Sequence, residues 1–557
     1  MERMPRNLPA LLLGAALAAA AAMTLVLTSG MTFFGDSWEL LMFRRDLTLD
    51  ALLKPHNEHL VAIPVLIEQA GLRLFGMASA TPEFVLLTAF LLATALLLYV
   101  YVKRRAGAWL ALFAAILVLC LGPAWEVLLW PFEITFVGPV CFGLAMLIAL
   151  ERKDRRGDLA ACASLTVTLG FSSLALPFIV AAAVSVLQGR GRRLRRAYVF
   201  VIPALLFLAW YVGWGHEAES HIALHNILVS PRFVAESIGV AFAGLFGLGL
   251  DPTGGGVGPL RLREVVVALV LVGLLAGPAY RRLRKSGFSP GLWPVLAAAA
   301  TSWFLTAFNA IPGRVPTASR YQYASAVFIL MIAANLLDGV RPSRRALTIA
   351  AGVTAIAVGL NLVVLRHGRD VFRQQSLLTR SDTAAIEIAR RTVNPEFQLN
   401  PELAGTPSLI DIFAGEYLQA VGEYGSPAYS VSELDSAPEG GRRQADIVLS
   451  QALPLSTVTT VGRYRPGSGG EGCVTVRGGA GGHSGVPVSA GLTRIELAPG
   501  PHAAFALRRF AVGEYPVATE GAPGDSVTLM RIPRDALPRP WYVHVYARQL
   551  ARVCPGG

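Results

Sequence analysis

Charged side chains are scarce in this chain. Only 15% of its 557 residues are Asp, Glu, Lys or Arg, against 54% hydrophobic ones, and the mean hydropathy is +0.51. A soluble globular chain carries about 25% charged residues, so the deficit excludes an ordinary soluble protein. Cysteine is sparse too, with five in the whole chain, which excludes a disulfide-dense scaffold. Cys120, Cys141 and Cys162 lie in apolar segments and suit packing. Cys473 and Cys554 lie in a polar C-terminal region and can pair only if that region is extracytoplasmic. Nucleotide-binding signatures are also missing. The Gly-rich stretch 251–259 lacks the Lys-Ser/Thr of a phosphate-binding loop.

Long apolar blocks fill the space that charge leaves, and they make this a polytopic α-helical membrane protein. The net charge of +12 does not mark a nucleic-acid partner, because the basic residues fall in short clusters between apolar blocks. Lys103-Arg104-Arg105, 152–156, 190–196, 281–285 and 341–345 are such clusters, the pattern of cytoplasmic loops. Placing them inside predicts about eleven transmembrane helices plus interfacial ones, at ~20 residues per span. The first, 8–29, reads as an uncleaved helix with a cytoplasmic N-terminus. The segment 159–188 is flanked by basic clusters on both sides, so it reads as a hairpin of short helices turning near Phe171-Ser172-Ser173. The segment 233–250 reads as a partial or interfacial helix, since a full crossing would place the 281–285 cluster outside. All nine histidines then fall on the outer side.

These spans place the chain in the plasma membrane as a multi-pass protein with an extracytoplasmic C-terminal region. Residues 1–366 form the transmembrane domain, with a first outer loop over 30–83. Residues 367–455 read as mainly helical. From 456 to 557 short alternating strands broken by Gly and Pro indicate a small β-sandwich, so the region is α+β, stapled if Cys473 and Cys554 pair. Along 541–546, Trp541, Val543 and Val545 share one strand face and Tyr542, His544 and Tyr546 the other. Trp541, Tyr542 and Tyr546 are either sugar-stacking aromatics or ordinary core and surface residues of a strand.

The chemistry concentrates in the first outer loop. Gly35-Asp36-Ser37-Trp38-Glu39 is followed some twenty residues later by Pro55-His56-Asn57-Glu58-His59. Ionisable groups at a bilayer surface cost desolvation energy, so such a cluster needs a reason. Asp36 suits the N-cap of a helix beginning at Ser37, with Glu39 in its first turn. Asn57 suits the N-cap of a helix running from Glu58. His56, Glu58 and His59 carry metal-ligating atoms, as do His221 and His225 beside His216 and Glu217. Solvated or acceptor-binding histidines fit the same residues, so no cofactor is assigned and a divalent metal stays open. Glu126 and Glu133, flanked by Trp125 and Trp130, sit at outer helix ends, to line a site or belong to the aromatic belt.

The combination of these two motifs with Ser319-Arg320-Tyr321 at the start of a late helix resembles the GT-C superfamily of membrane glycosyltransferases, which use polyprenyl-phosphate sugars. The resemblance covers roughly residues 1–365. It implies a GT-C-like membrane domain and an inverting transfer of sugar from a polyprenyl-phosphate donor to an envelope glycan, lipid or protein acceptor, with no nucleic acid involved. It maps the carboxylate base to Asp36, with Glu39 as the neighbouring acid, although the family often pairs its acids more closely. A leaving polyprenyl phosphate calls for a fixed positive charge: Arg320 first, then Arg314 and Lys54, with Tyr321, His56, Glu58 and His59 bordering the donor. Arg320 also suits a snorkelling anchor beside Tyr321 and Tyr323. Two other readings stand beside this one: a transporter or flippase of a lipid-linked glycan, and a non-catalytic envelope-assembly protein.

Overall fold

A bilayer offers backbone N–H and C=O groups no partner but each other, so apolar runs become helices. The computed structural model describes residues 7–555 apart from 190–192, 219, 249, 252–255, most of 258–286, 399–408, 410–411, 454–455, 462–471, 478–484, 500–503, 512–524, 533, 536 and 547–549. Among the described residues, five helices are long and apolar enough to cross a membrane: Leu8–Thr28, Thr81–Ala106, Pro131–Leu150, Leu224–Leu245 and Arg344–Ala389. A sixth span arises if Ala108–Leu119 and Gly122–Leu129, bent by 46° at their break, count as one. The chain is a multi-pass helical membrane protein with a sheet-rich C-terminal region.

The expectation of about eleven spans is thereby corrected to five or six, and the reason is length. Ser173–Gln188, Tyr198–Gly213 and Leu292–Phe308 are apolar but reach only 10–17 residues, short of the ~20 that a hydrocarbon core demands. Arg155–Phe171 opens on charged residues within its 17. Ser319–Leu336 carries Arg320, Gln322 and Asn335. The helix expected over 265–280 lies mostly outside the described residues. The segment 233–250, expected as a partial or interfacial helix, belongs largely to Leu224–Leu245, whose 22 residues are long and apolar enough to cross a membrane. The break at Phe171-Ser172-Ser173 is present: Ser172 is extended, and its hydroxyl accepts from the Leu174 amide before the helix resumes at Leu176.

The chain divides into two compact units. The first comprises residues 1–29, 44–71 and 81–372, and the second residues 30–43, 72–80 and 373–557. In the first unit, one end of the helical bundle is tied by basic residues. Arg104 and Arg105 both bind Glu151, at 2.6 and 2.5 Å, and Arg105 also donates to Asn335 Oδ1 at 3.1 Å. The Arg105 guanidinium stacks 3.6 Å from the centre of the Tyr101 ring. The C-terminal ends of Thr81–Ala106, Ile134–Leu150 and Ser319–Leu336 therefore meet at one end of the unit, and their N-terminal ends lie at the other. Within the bundle Gly122 packs so closely that a Cβ there would sit 2.2 Å from the Asn361 carbonyl oxygen. No other residue fits that position without displacing a backbone. A two-residue antiparallel pair, β1 (Leu250–Asp251) and β2 (Gly256–Val257), completes this unit.

The second unit carries the sheets. β3 (Ser456–Val461), β8 (Ser526–Ile532), β6 (Gly491–Leu497), β10 (Leu550–Pro555) and β4 (Val474–Arg477) form a five-stranded sheet in the order β3-β8-β6-β10-β4. β5 (Val486–Val488), β9 (Trp541–Tyr546) and β7 (Ala504–Arg508) form a three-stranded one in the order β5-β9-β7. Every pairing is antiparallel. Alternation along β9 buries Trp541, Val543 and Val545 and leaves Tyr542 exposed. Trp541 is thus core, covered by the Arg509 guanidinium 4.2 Å from its ring, and not a surface aromatic. Asp446, on helix Glu439–Ala452, accepts the backbone N–H groups of Arg509, Phe510 and Ala511 and so pins that helix to the end of β7. Cys473 and Cys554 are disulfide-bonded beside the β4–β10 pairing, closing a separation of 81 residues.

Cross-linking across so long a loop restricts the unfolded chain by about 2–4 kcal/mol. Cys473→Ser is expected to lower the thermal midpoint of the C-terminal region in the purified full chain. Reductant should lower the wild-type midpoint to the same level and leave the variant unchanged.

Candidate functional site

Opposite the basic end of the first unit, the residues of the Pro55–His59 motif form a tight turn. The His56 N–H donates to the His59 carbonyl at 3.0 Å and the His59 N–H to the His56 carbonyl at 2.9 Å. Asn57 at the turn has φ of +50°, a left-handed conformation that Asn tolerates better than other residues with a Cβ. The helix expected from Glu58 begins only at Ala62, so Asn57 shapes a turn and does not cap a helix. The turn is held from several sides. Arg44 donates to the Lys54 and Pro55 carbonyls at 2.8 and 2.9 Å, and Trp210 Nε1 donates to the Leu53 carbonyl at 2.7 Å. The Ser173 hydroxyl, from the helical break, donates to the Glu58 carbonyl at 3.0 Å. The ring of His56 meets Phe132 edge-on at 5.1 Å.

The turn aims Glu58 at Arg314. Both guanidinium NH2 groups reach the carboxylate, one to Oε1 and the other to Oε2 at 3.0 Å, a forked pair with both side chains largely buried. Five residues on, the chain enters helix Ser319–Leu336, and its first turn makes a reciprocal cap with Trp125–Leu129. The Glu126 N–H donates to Ser319 Oγ at 3.1 Å. The Arg320 N–H donates to Glu126 Oε2 at 3.1 Å, and Arg320 Nε lies 3.6 Å from the same oxygen. Orphan N–H groups at two helix starts are thereby satisfied by each other's side chains. Tyr321 lies between these clusters, within electrostatic reach of Arg320, Arg314, Glu58 and Glu133, and its ring packs against Phe136 at 6.2 Å.

The electrostatics follow from burial and from Arg314. Desolvation alone would raise Glu58, but the attraction of His59 when it is protonated and of the hydrogen-bonded Arg314 outweighs it and holds the carboxyl below its ordinary range. Burial pushes His59 down to about 4, against the attraction of Glu58 and helped by repulsion from His56 and Arg314. His59 is therefore neutral at physiological pH. A second carboxyl pair lies nearby in sequence: burial pushes Glu68 up to about 8, where it hydrogen-bonds to Glu83.

Of the residues singled out in the sequence, this cluster unites His56, Glu58, His59, Arg314, Arg320 and Tyr321 in the first unit. Lys54 is exposed at the C-cap of the short helix Leu49–Leu53, with its N–H on the Asp50 carbonyl. Asp36 and Glu39 belong to the second unit, both in the first turn of helix Asp36–Phe43, which starts at Asp36 itself. Gly35, at φ +51°, turns the chain into that helix. His221 precedes helix Leu224–Leu245 and its carbonyl accepts from Asn226, so His221 and His225 do not share a helical turn. Among the described residues no three or more His, Cys, Asp or Glu side chains come together to hold a metal ion. The sequence marked Ser173 only as a turn and Ser319 only as the start of a late helix, not as partners of Glu58 and Glu126, and it held no signal for Arg44.

No family model matches the chain, and no curated protein matches it. The crystal structure of ArnT from Cupriavidus metallidurans in the apo state is similar to it over 80% of this chain and 92% of that chain, at 13% identity and a TM-score of 0.46.

A lowered histidine pKa means that the folded state binds fewer protons than the unfolded one between about pH 4 and 6.5. The contribution of His59 to stability is complete above pH 6.5 and is lost as pH falls toward 4. The thermal midpoint of the wild type should therefore drop over that interval by more than that of His59→Gln, and equal slopes would contradict a buried neutral His59.

Proposed function

We propose that this chain is a membrane glycosyltransferase of the GT-C type, moving a sugar from a polyprenyl-phosphate donor to an extracytoplasmic envelope acceptor with inversion. What supports the reading most is the organised charge at the end of the bundle away from the basic helix ends: the Glu58–Arg314 fork and the Glu126–Arg320 pair. Clusters of Lys and Arg favour the cytoplasmic side, so the opposite end faces outward, where a lipid-linked sugar and an envelope acceptor meet. Holding charges there in ordered, half-buried pairs costs desolvation energy, a cost that a purely structural loop tip has no need to bear.

The proposed chemistry needs two kinds of group. A carboxylate must take the acceptor hydroxyl proton as the new C1–O bond forms and the bond from C1 to the phosphate oxygen breaks. Asp36 fills that role, with Glu39 one helical turn away on the same short helix. A cation must neutralise the departing polyprenyl phosphate. Arg320 fits best, since it stands at the N-terminal end of helix Ser319–Leu336 with 37% of its side chain exposed. Arg314 is committed to Glu58 through both NH2 groups and acts by holding the 56–59 turn in place. Lys54, His56, His59 and Tyr321 border the donor.

Asp36→Asn keeps the size and most of the polarity of the side chain and removes its basicity. At matched protein abundance it should abolish the envelope glycan that depends on this chain, a loss of at least about a hundredfold in transfer. Glycans unchanged from wild type would remove Asp36 as the base.

A further inference from the structure

The helix that carries Asp36 is short, and a helix of eight residues does not hold its own shape in water. Its anchor is Trp38. The indole is fully buried, its Nε1 donates to the Phe33 carbonyl at 3.1 Å, and it meets the Phe33 ring edge-on at 5.6 Å. On its other side it meets Tyr417 edge-on at 6.2 Å. Tyr417 is also fully buried, on helix Ala414–Tyr424, and its hydroxyl donates to Glu387 Oε1 at 2.7 Å. Glu387 lies near the end of the long helix Arg344–Ala389 and accepts a second hydrogen bond, 2.5 Å, from the Ser426 hydroxyl.

The segments on either side of this contact are held by the same two helices. The Thr32 N–H donates to Ser376 Oγ at 3.2 Å, and the Met77 N–H donates to the Tyr424 carbonyl at 2.7 Å. Gly76, at φ +72°, approaches so near that a Cβ would lie 2.5 Å from that carbonyl oxygen. Burial, reinforced by the Glu387 charge, pushes the Tyr417 phenol well above its ordinary value, so it remains a donor. Both ends of the first outer loop, 30–43 and 72–80, thus fold as part of the unit formed by residues 373–557.

From this arrangement we infer that Tyr417 and Glu387 are positioning residues for Asp36: the C-terminal region serves transfer by clamping the Asp36 helix through Trp38. The inference rests on the glycosyltransferase reading for its catalytic meaning, while the clamp itself is a contact within one unit. Removing the carboxylate takes that acceptor from the buried Tyr417 hydroxyl and the half-buried Ser426 hydroxyl, a cost that a glutamine oxygen at the same place avoids.

Two measurements on the full-length protein separate the clamp from the reading. In hydrogen exchange, Glu387→Ala should speed exchange of residues 33–43 by about tenfold, while Glu387→Gln stays within about twofold of wild type. In membranes that contain the native acceptor, supplied with a panel of polyprenyl-phosphate hexoses and pentoses, Tyr417→Phe and Glu387→Ala should lower kcat by about tenfold with KM for the donor unchanged. Glu387→Gln should restore kcat. Wild-type exchange rates over 33–43 in Glu387→Ala would overturn the clamp. Faster exchange with undiminished kcat would overturn its role in positioning. Equal transfer by wild type and Asp36→Asn would instead sink the glycosyltransferase reading, and the exchange data would still report the clamp.

Discussion

The end of the membrane unit away from its basic helix ends depends on one ion pair, Arg314 with Glu58. A carboxylate that loses most of its water must be paired or neutralised, and here a forked guanidinium does the pairing. Glu58 can meet Arg314 only because the His56–His59 turn aims it there, and that turn exists only because Asn57 accepts a left-handed backbone. Arg314 in turn precedes the helix start at Ser319, so its capture by Glu58 fixes the approach to the Glu126–Arg320 cap. Breaking the pair would leave an uncompensated charge, which for buried pairs costs about 3–5 kcal/mol.

Breaks in the helices do the same work on a larger scale. A straight helix of twenty residues carries side chains through the bilayer but cannot present N-terminal N–H groups partway along it. The bend after Leu119, the break at Ser172 and the start at Ser319 each create a helix end, and side chains then reach these ends: Ser173 to Glu58, Ser319 to Glu126. Short apolar helices therefore belong with the site, whose orienting groups are helix termini.

Much of this was legible in the residues. The paired motifs 35–39 and 55–59 stood out because acids and histidines are rare in so apolar a chain, and Arg314 and Arg320 stood out as late charges with Tyr321 beside them. The alternation along β9 marked Trp541, Val543 and Val545 as one buried face, although it could not say that His544 on the other face is buried too or that Trp541 lies under Arg509. The number of spans was not legible. Hydropathy marks an apolar block, yet whether 13–17 residues cross, stop or turn depends on neighbours that periodicity does not reveal. The division of the first outer loop was hidden too. Nothing in the sequence near Trp38 points to Tyr417, almost 380 residues away, because a contact between two aromatic rings leaves no local signature.

A membrane surface that organises carboxylates and arginines can serve a transferase or merely a passage for lipid-linked glycans, and the fate of the donor separates the two. The most direct measurement places the purified chain in liposomes with a labelled polyprenyl-phosphate sugar of known anomeric configuration and a membrane extract supplying acceptors. The account predicts release of free polyprenyl phosphate and a new glycosidic bond of opposite configuration at C1, both absent with Asp36→Asn. Donor that moves intact to the other leaflet, or product that retains the donor's configuration, would contradict it.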